Sequence, residues 1–382
     1  MRVAIVHHWF VTRGGGERVA ECIASLFPQA EIFTLMADAP GIPDSLLTRR
    51  IHTSFLQMVP LARNYHRHMM PFYPAATESL NLRGFDLVIS SDSGPVKGVR
   101  LDSGTVQICY CHSPMRYLYD GYESYRTRMG PVTRALFSAT ANRVRRWDMR
   151  AARAVTYFVA NSEYVASRIQ RLYGRQSMVI HPPIDLHRAR VAKMPGQHYL
   201  CAGRLVGYKR TELMVEACAR LGRTLRIAGS GPEEARLKKM VKKNAGVTFL
   251  GEMTTEALWQ EYAECRALLF AADEDFGMVP LEAQACGRPV IAYGAGGSLE
   301  TVRGLGASPT GVYFGEQTVE SMMEGILRFE ANESAGVFDT AIIQAWAAEF
   351  ATPVFLRRMR EFVLAKMPEA AVAMAPAMAE SL

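Results

Sequence analysis

Short runs of apolar residues alternate with amphipathic stretches along almost the whole chain, and this alternation restricts the fold more than any other feature. The first series comprises Val3 to Val6, Glu31 to Thr34, Leu87 to Ser90, Val106 to Cys111 and Thr156 to Ala160. The second series comprises Tyr199 to Ala202, Leu225 to Ala228, Val247 to Leu250, Ala267 to Phe270 and Val290 to Tyr293. Strands that are buried on both faces and joined by helices form parallel sheets. The sequence therefore predicts an α/β protein with two similar halves.

Chain length indicates two domains, and a proline-rich segment marks the boundary between the two halves. A chain of 382 residues exceeds what one core usually supports, because domains commonly hold about 150 residues. His181-Pro-Pro and Pro195-Gly196 supply stiff, turn-forming residues between the halves, and we expect a cleft to open there. The predicted segments are an N-terminal domain over 1–184, a second domain over 198–344, a helix over 345–366 and a flexible tail over 367–382.

Composition excludes several classes of protein. The chain is 49% hydrophobic and 21% charged, as in ordinary globular proteins, and it holds no run of about 18 apolar residues that would span a membrane. Its seven cysteines are scattered without zinc-ligand spacing. The first residues run directly into an apolar strand without a long hydrophobic leader. We therefore expect a cytoplasmic protein with reduced thiols and no zinc site.

Basic residues are concentrated in the first half of the chain. Residues 1–190 carry 24 Lys and Arg against 14 Asp and Glu, whereas the remainder carries 20 against 23. Many of these arginines are interleaved with aromatic residues, which suits a polyanion or anionic lipid head groups. A solvated arginine-rich face explains the same pattern equally well. The aromatic repeats of an RNA-binding module are missing, so we expect no nucleic-acid partner.

Two glutamates, Glu274 and Glu282, flank the strongest motif in the sequence. Seven residues separate them, and the segment follows a predicted strand and opens a helix. The backbone N–H groups of that helix start, Phe276, Gly277, Met278 and Val279, should face the crevice where strands end and bind an anion. The two carboxylates can accept hydrogen bonds from two polyols. Alternatively, one is a solvated loop acid and the other merely favours the helix dipole.

Two further loops of the second half carry candidate binding groups. Arg204 and Lys209 follow the first strand of this half, where their charges can neutralise a diphosphate. Gly229 and Gly231 lie between a strand and a helix and let backbone approach a ligand.

In the first half, a glycine run and a histidine follow strands. Gly15 and Gly16 join the first strand to a helix and offer N–H groups to an anion. The dinucleotide fingerprint is incomplete because Val19 takes the place of its third glycine, so hydride transfer is not expected. His112 ends another strand, and a histidine in such a turn is either structurally satisfied or reactive.

The spacing of Glu274 and Glu282 resembles the E-x7-E motif of the retaining GT-B glycosyltransferases of family 4, and the resemblance extends over most of the chain. It implies two Rossmann-like domains separated by a cleft, with the helix over 345–366 packing back on the N-terminal domain. It also implies that Glu274 contacts the donor sugar and Glu282 the nucleotide ribose. The family generally needs no metal, because cations such as Arg204 and Lys209 bind the diphosphate.

The same resemblance extends to three smaller features. Gly229 and Gly231 correspond to a loop near the nucleotide, and Met253 lies in a turn that is expected to border the base. His112 begins a His-Ser-Pro segment similar to the family's His-Ser/Thr-Pro, whose histidine sits over the donor sugar and stabilises an oxocarbenium-like transition state. In this family the leaving phosphate oxygen is thought to deprotonate the acceptor on the same face.

The segments 96–99, 109–120 and 284–302 resemble bacterial mannosyltransferases that build surface polysaccharides. The resemblance implies GDP-mannose as donor, a polyprenyl diphosphate-linked or other saccharide as acceptor, and peripheral contact with an anionic membrane surface at the inner face. Three alternatives remain open: a UDP-sugar donor, a nonhydrolysing sugar-nucleotide epimerase, and a non-catalytic sugar-nucleotide-binding scaffold.

Overall fold

A computed structural model describes residues 1–60, 69–127, 129–241 and 246–376 of the chain. The chain divides into two units, of which unit 1 takes Met1–Pro183 and Phe355–Leu382 and unit 2 takes Ile184–Val354. Each unit is built around one parallel sheet. Among the described residues, no helix is long and apolar enough to cross a membrane.

Unit 1 is a seven-stranded parallel sheet covered by helices. Its strands are β1 (Val3–His7), β2 (Glu31–Thr34), β3 (Ile51–Thr53), β4 (Leu87–Asp92), β5 (Val106–Cys111), β6 (Tyr157–Ala160) and β7 (Ser177–Val179). Its first helices are α1 (Gly15–Leu26), α2 (Tyr73–Glu78), α3 (Tyr122–Thr127), α4 (Pro131–Ala154) and α5 (Glu163–Tyr173). The strand order β3-β2-β1-β4-β5-β6-β7 reverses direction between β1 and β4, and such switch points form ligand crevices at the carboxyl ends of strands.

Unit 2 repeats the same plan with six strands. Its strands are β8 (Tyr199–Ala202), β9 (Leu225–Ala228), β10 (Val247–Gly251), β11 (Ala267–Phe270), β12 (Val290–Tyr293) and β13 (Gly311–Phe314). Its helices are α6 (Thr211–Leu221), α7 (Glu234–Met240), α8 (Thr255–Glu264), α9 (Met278–Ala285), α10 (Ser298–Thr301), α11 (Val319–Ser334) and α12 (Thr340–Ala348). The order β10-β9-β8-β11-β12-β13 places the switch point between β8 and β11. The predicted pair of Rossmann-like domains is thereby confirmed.

The segment 345–366 comprises parts of two helices that adjoin near Pro353. Helix α12 ends at Ala348, and a new helix, α13 (Thr352–Lys366), begins beside Pro353, because proline is tolerated in a first turn but not in a helix interior. The part of the segment up to Val354 belongs to unit 2, and the chain from Phe355 belongs to unit 1.

Helix α13 completes the core of unit 1. Its buried residues Phe355, Met359, Phe362 and Val363 recur at helical spacing and join the cluster around the sheet. Four buried apolar side chains contribute roughly 6 to 12 kcal/mol of transfer free energy before entropic costs. The expected return of this helix to the first domain is therefore seen.

The segments at 184–197 and 367–376 differ from the prediction. The expected linker starts within unit 2, because Ile184 is buried there and its N–H donates to the carbonyl of Phe350 at 2.9 Å. The start of the expected flexible tail is packed: Pro368–Ala373 is a 3-10 helix, Ala370 is buried, and the N–H of Ala375 donates to Leu26 O at 2.8 Å. Residues 377–382 of that predicted tail lie outside the described residues.

Candidate active site

The switch point of unit 2 brings together a lysine and a glutamate from two loops. Lys209 follows β8 and Glu274 follows β11, and Lys209 Nζ forms an ion pair with Glu274 Oε1. Both side chains are largely buried, at 16% and 17% exposure. Burial lowers the pKa of Lys209, but the opposing effect of the Glu274 carboxylate is larger, so the pKa of Lys209 lies above its ordinary value. Lys209 is therefore a cation at any working pH.

A small depression in unit 2 is lined by Gly203, Arg204, Lys209 and Phe270 among others. Arg204 is exposed, and no ion pair engages it within the described ranges of the chain. Its charge is thus available to an anionic ligand. The two cations predicted to bind a diphosphate therefore lie on the same loop and line the same depression.

The start of α9 supplies backbone donors next to Glu274. Gly277 precedes the helix in the left-handed region, with φ of 86°, a conformation that glycine adopts without strain. Helix geometry leaves the first-turn N–H groups, including those of Met278 and Val279, without partners inside the helix. The side chain of Phe276 is buried in the core, with its ring 5.8 Å from that of Phe350. Only the backbone of Phe276 is therefore suited to a ligand.

Glu282 is held by a buried tyrosine. The hydroxyl of Tyr262, on α8, donates to Glu282 Oε2 at 2.8 Å, and Tyr262 is fully buried. Burial raises the pKa of Glu282, while the Tyr262 hydrogen bond and the charge of Lys209 lower it to a smaller extent. The tyrosine fixes one carboxylate oxygen and leaves the other as an acceptor for a ligand hydroxyl.

The two glycines after β9 are required by packing between loops. A Cβ on Gly229 would overlap the carbonyl of Gly203, and a Cβ on Gly231 would overlap that of Leu205. These glycines therefore let the loop after β9 lie directly against the loop that carries Arg204. This packing explains their presence without requiring that either glycine contact a ligand.

Replacing Gly229 with alanine is expected to destabilise unit 2 by about 2 kcal/mol or more, because φ is 122° and the new Cβ meets backbone. Urea unfolding of the purified variant measures the loss. Gly336→Ala is the matched control: its φ of 71° is also left-handed, but nothing lies within 4 Å of the added Cβ, so about 1 kcal/mol is expected. Equal losses in both variants would contradict the packing argument.

Met253 lies in the turn after β10, as predicted. Met253 is partly buried against the apolar core that contains Trp259 and Leu281. The carbonyl of Gly251 accepts a 2.7 Å hydrogen bond from the N–H of Gly229. This turn is therefore connected to the loop after β9, although the structure shows no ligand-facing role for the methionine.

A glycine loop that sequence reasoning missed braces Glu274. The N–H of Gly297 donates to the carbonyl of Glu274 at 2.9 Å, and a Cβ on Gly297 would overlap the backbone of Phe276. Gly296 lies equally close to the Glu274 backbone, with φ of 60°. The signal was a run of glycines directly after strand β12, the same type of signal that identified the other loops.

The switch point of unit 1 gathers three histidines around a serine. Ser91 ends β4, and its Oγ is hydrogen-bonded to His112 Nε2 at 2.8 Å and to His7 Nδ1 at 3.0 Å. His8 Nε2 is hydrogen-bonded to Ser93 Oγ at 3.2 Å. His112 is half-buried, whereas His7 and Ser91 are fully buried. The predicted catalytic histidine is thus part of a network that the sequence did not reveal.

Helix α1 approaches this network through its glycine-rich start. Gly15 is its first residue, and a Cβ on Gly16 would lie 3.6 to 3.9 Å from His7, His8 and His112. Glu17 is buried in the first turn, with Oε1 3.7 Å from His7 Nε2. Sequence reasoning missed this acid, although an acid directly after a glycine run at a helix start was a usable signal.

His7, His8 and Glu17 are the residues best placed to hold a metal in the described chain. Their ligand atoms all lie within 4.8 Å of one another, and all three residues are buried. Burial lowers the pKa of His7 to about 3, so this imidazole is neutral. Three neutral or anionic donors are compatible with a cation, and the expected absence of a metal stays a prediction.

Two family profiles match the chain. The profile described as Glycosyltransferase Family 4 matches residues 13–188, and the profile described as Glycosyl transferases group 1 matches residues 185–341.

Curated relatives match over shorter stretches. The lipopolysaccharide core biosynthesis mannosyltransferase LpsB of Rhizobium meliloti (strain 1021) is 30% identical over 218 residues, covering 50% of this chain and 60% of that protein. A D-inositol 3-phosphate glycosyltransferase of Geodermatophilus obscurus is 30% identical over 181 residues, covering 38% of this chain and 39% of that protein. The matched parts thus span three fifths or less of these two relatives.

Solved structures match along almost the entire chain. HepE of Anabaena, crystallised with UDP and glucose, superposes with a TM-score of 0.69 at 16% identity, over 96% of this chain and 100% of that one. Sucrose-phosphate synthase of Thermosynechococcus elongatus gives a TM-score of 0.69 at 18% identity, over 97% and 100%. These similarities show the GT-B fold. Together with profiles that take in residues 13–341, they establish that this chain belongs to glycosyltransferase family 4.

Proposed function

We propose that this protein is a retaining glycosyltransferase that moves mannose from GDP-mannose to a lipid-linked saccharide in bacterial surface polysaccharide synthesis. The observation that carries the proposal is the buried pair of Lys209 and Glu274 at the switch point of unit 2, with Glu282 in helix α9, which follows Glu274. The 30% identity to a lipopolysaccharide core mannosyltransferase supports mannose as the sugar.

The cations of unit 2 are assigned to the leaving diphosphate. As the bond between the sugar C1 and the phosphate oxygen breaks, negative charge accumulates on the diphosphate. Lys209, held by Glu274, and the first-turn N–H groups of α9 are fixed in position before the reaction, so they stabilise this charge without reorganisation. Exposed Arg204 adds a further positive charge. The same groups replace a divalent cation, and we propose a metal-independent enzyme.

The two glutamates are assigned to the sugar and the ribose. Glu274 accepts hydrogen bonds from hydroxyls of the donor sugar, and its ion pair with Lys209 supports a sugar site next to the diphosphate site. Glu282, fixed by Tyr262, accepts from the ribose hydroxyls. Fixing both ends of the donor supplies orientation, which is a large part of what this chemistry requires of the protein.

The acceptor oxygen attacks C1 on the face from which the diphosphate leaves, so that the anomeric configuration is retained. The acceptor proton passes to the departing phosphate oxygen, and the C1–O bond to the acceptor forms as the donor bond breaks. No carboxylate nucleophile is required. We assign to His112 of unit 1 the role that the resemblance implies, which is stabilising the positive charge that develops on the sugar.

A UDP-sugar donor is the second candidate. Solved structures with the same fold contain UDP or UDP-glucose, and no side chain that the structure describes in unit 2 distinguishes guanine from uracil on physical grounds. A sugar-nucleotide epimerase would convert the donor without an acceptor and without net release of nucleoside diphosphate. A binding scaffold would retain the nucleotide and release nothing.

Release of nucleoside diphosphate from a panel of GDP- and UDP-sugars, in the presence of EDTA, tests the proposal. We expect GDP release from GDP-mannose by the wild type, and a strong loss in Glu274→Gln and in His112→Ala. Glu324→Gln and His187→Ala, both at exposed positions, should retain full activity. If only a UDP-sugar gives release, the donor is a UDP-sugar and not GDP-mannose. If the sugar is converted without release of nucleoside diphosphate, the epimerase is favoured.

Unit 1 offers a surface that supports peripheral binding to an anionic bilayer. On one face of α4, Val132 and Leu136 are 84% and 67% exposed, and Arg143, Arg146 and Arg150 follow on the same face at helical spacing. Apolar side chains followed by arginines suit a head-group region. Arginines 63 and 67, which belong to the basic clusters seen in the sequence, lie outside the described residues.

Neutralising this face should weaken membrane binding. The triple variant Arg143→Gln, Arg146→Gln, Arg150→Gln is expected to bind phosphatidylserine vesicles on the order of 100-fold more weakly, at about 1 kcal/mol for each charge near the surface. Vesicle sedimentation measures this partition. A triple variant of Arg220, Arg236 and Arg328, which are arginines of unit 2, is the control, and equal losses in both variants would contradict the assignment to α4.

A further inference from the structure

Four residues of unit 1 form a chain that ends at His112. Glu17 Oε1 lies 3.7 Å from His7 Nε2, His7 Nδ1 is hydrogen-bonded to Ser91 Oγ at 3.0 Å, and Ser91 Oγ is hydrogen-bonded to His112 Nε2 at 2.8 Å. Glu17, His7 and Ser91 are all buried. The chain therefore connects the first turn of α1 to the carboxyl ends of β1, β4 and β5.

The position of each proton in this chain follows from counting donors. His7 is fully buried, and burial without full solvation disfavours the charged imidazolium, so we take His7 in the neutral form with one N–H. Its Nε2 is buried without a hydrogen-bond partner among the described residues and faces the Glu17 carboxylate. A lone pair directed at a carboxylate would be repelled, so the proton of His7 belongs on Nε2.

The protonation of His7 determines which hydrogen bond Ser91 donates. With its proton on Nε2, His7 presents an unprotonated Nδ1, which must accept the hydrogen bond from the hydroxyl of Ser91. The single proton of Ser91 is thereby used. The contact between Ser91 Oγ and His112 Nε2 at 2.8 Å then requires His112 to be the donor.

We propose that Glu17 and His7 are positioning residues that fix the tautomer of His112 through Ser91, holding its proton on Nε2 and leaving Nδ1 as the nitrogen that can accept one. The tautomer itself follows from the contacts in unit 1, and only its catalytic role rests on the proposed function. A histidine that gains its second proton at a defined atom places the resulting positive charge at a defined position. Orienting groups of this kind determine which nitrogen of a histidine reacts.

The surrounding structure keeps the series Glu17, His7, Ser91 and His112 rigid. Ser91 pairs along β4 with His7 of β1 in the sheet register, and the backbone N–H of His112 donates to Asp92 O at 2.8 Å. Gly16, without a Cβ, lets the start of α1 lie beside the imidazoles. Glu17, the acidic residue of this series, is in the first turn of α1, where the helix dipole favours an anion.

Nitrogen NMR of the full chain labelled with ¹⁵N-histidine tests this proposal without any substrate. In the wild type at neutral pH, we expect His112 Nε2 to resonate as a protonated nitrogen and Nδ1 as an unprotonated one. In Ser91→Ala and in Glu17→Gln, that preference should be lost or reversed. Ser90→Ala is the matched control, because Ser90 is the preceding residue of β4 and its buried Oγ has no hydrogen-bond partner in the described chain.

Two results would overturn the proposal. One is a wild-type His112 with its proton on Nδ1, or an Nε2 proton that persists unchanged in both Ser91→Ala and Glu17→Gln. The other is a stoichiometric metal in the purified protein that is lost in His7→Gln, because His7 Nε2 would then bind the metal instead of a proton. Elemental analysis of the same samples detects this second case.

Turnover separates this proposal from the proposed function. With an active donor, Glu17→Gln should lower kcat about tenfold or more and leave the KM for the donor within about twofold. If the wild type uses no nucleotide sugar, the proposed function fails while the NMR result still stands. If the wild type is active and the His112 tautomer is insensitive to Glu17, only the positioning role fails.

Discussion

Replacing Lys209 with methionine is expected to lower the rate of sugar transfer by about 100-fold to 1,000-fold, the usual effect of removing one preorganised group that faces developing charge. Two consequences add to each other. The diphosphate loses a buried cation, and Glu274 is left without its ion-pair partner beside an incoming anion. The loss should appear mainly in kcat, because the charge on the diphosphate grows as the donor bond breaks. Steady-state release of nucleoside diphosphate measures it.

Two variants separate this effect from general damage. Lys238→Met removes an exposed lysine of α7 whose ion pair is made with Glu234 of the same helix, and it should leave the rate unchanged. The double variant Lys209→Met, Glu274→Gln should be less impaired than the product of the single effects, because the two side chains contact each other. A Lys209→Met enzyme with a normal kcat would remove the diphosphate role assigned to this lysine.

Replacing Lys97 with methionine should destabilise the protein by about 3 to 5 kcal/mol, the range found when one partner of a buried ion pair is removed. Lys97 is fully buried, and its Nζ contacts Asp92 at 3.1 Å and Asp148 at 2.6 Å. Burial lowers the pKa of Lys97, but the two carboxylates raise it well above the ordinary value. The variant leaves two buried carboxylates without a cation. Urea unfolding of the full chain reports the loss.

The control for this prediction is Lys366→Met, an exposed lysine of α13 in the same unit, for which less than about 1 kcal/mol is expected. Adding Asp148→Asn to Lys97→Met removes one of the stranded charges and should recover part of the stability. Tyr119 and Tyr173 both donate to Asp148 Oδ2 at 2.8 Å, so an asparagine keeps acceptors for them. A Lys97→Met protein as stable as the wild type would contradict the assigned charges.

Most strands were predictable because they are buried on both faces. Ten apolar runs correspond to ten of the strands in the described ranges, whereas β3, β7 and β13 were missed. Each of these three lies at the edge of a sheet. Strands β3 and β7 have three residues each and are only partly buried, so their sequences lack a long apolar run. Pairing with an inner strand, which local sequence does not encode, forms them.

The site was predictable where a loop motif follows a buried strand. The positions of Glu274, Lys209 and Gly277 all follow from this rule, because parallel strands end at the same edge of a sheet. Helix α9 begins at Met278, and Pro280 is its third residue. Any first-turn position accepts proline, because the missing N–H has no helical partner there.

The network around His112 could not be predicted in the same way. His7 and Ser91 are 84 residues apart in sequence, and each is an ordinary polar residue at the end of a strand. Only the parallel pairing of β1 with β4 brings them to the same level. The return of helix α13 to unit 1 was expected from the family resemblance alone, because it depends on tertiary burial of Phe355 and Met359 rather than on its local sequence.

A crystal structure of the protein with GDP tests the central claim most directly, because it shows where a nucleoside diphosphate binds. We expect the diphosphate against the first-turn N–H groups of α9 and the cations Lys209 and Arg204, with the ribose hydroxyls on Glu282. A diphosphate held instead by the glycine-rich start of α1 in unit 1, with the loops of unit 2 unengaged, would contradict the assignment of the donor site.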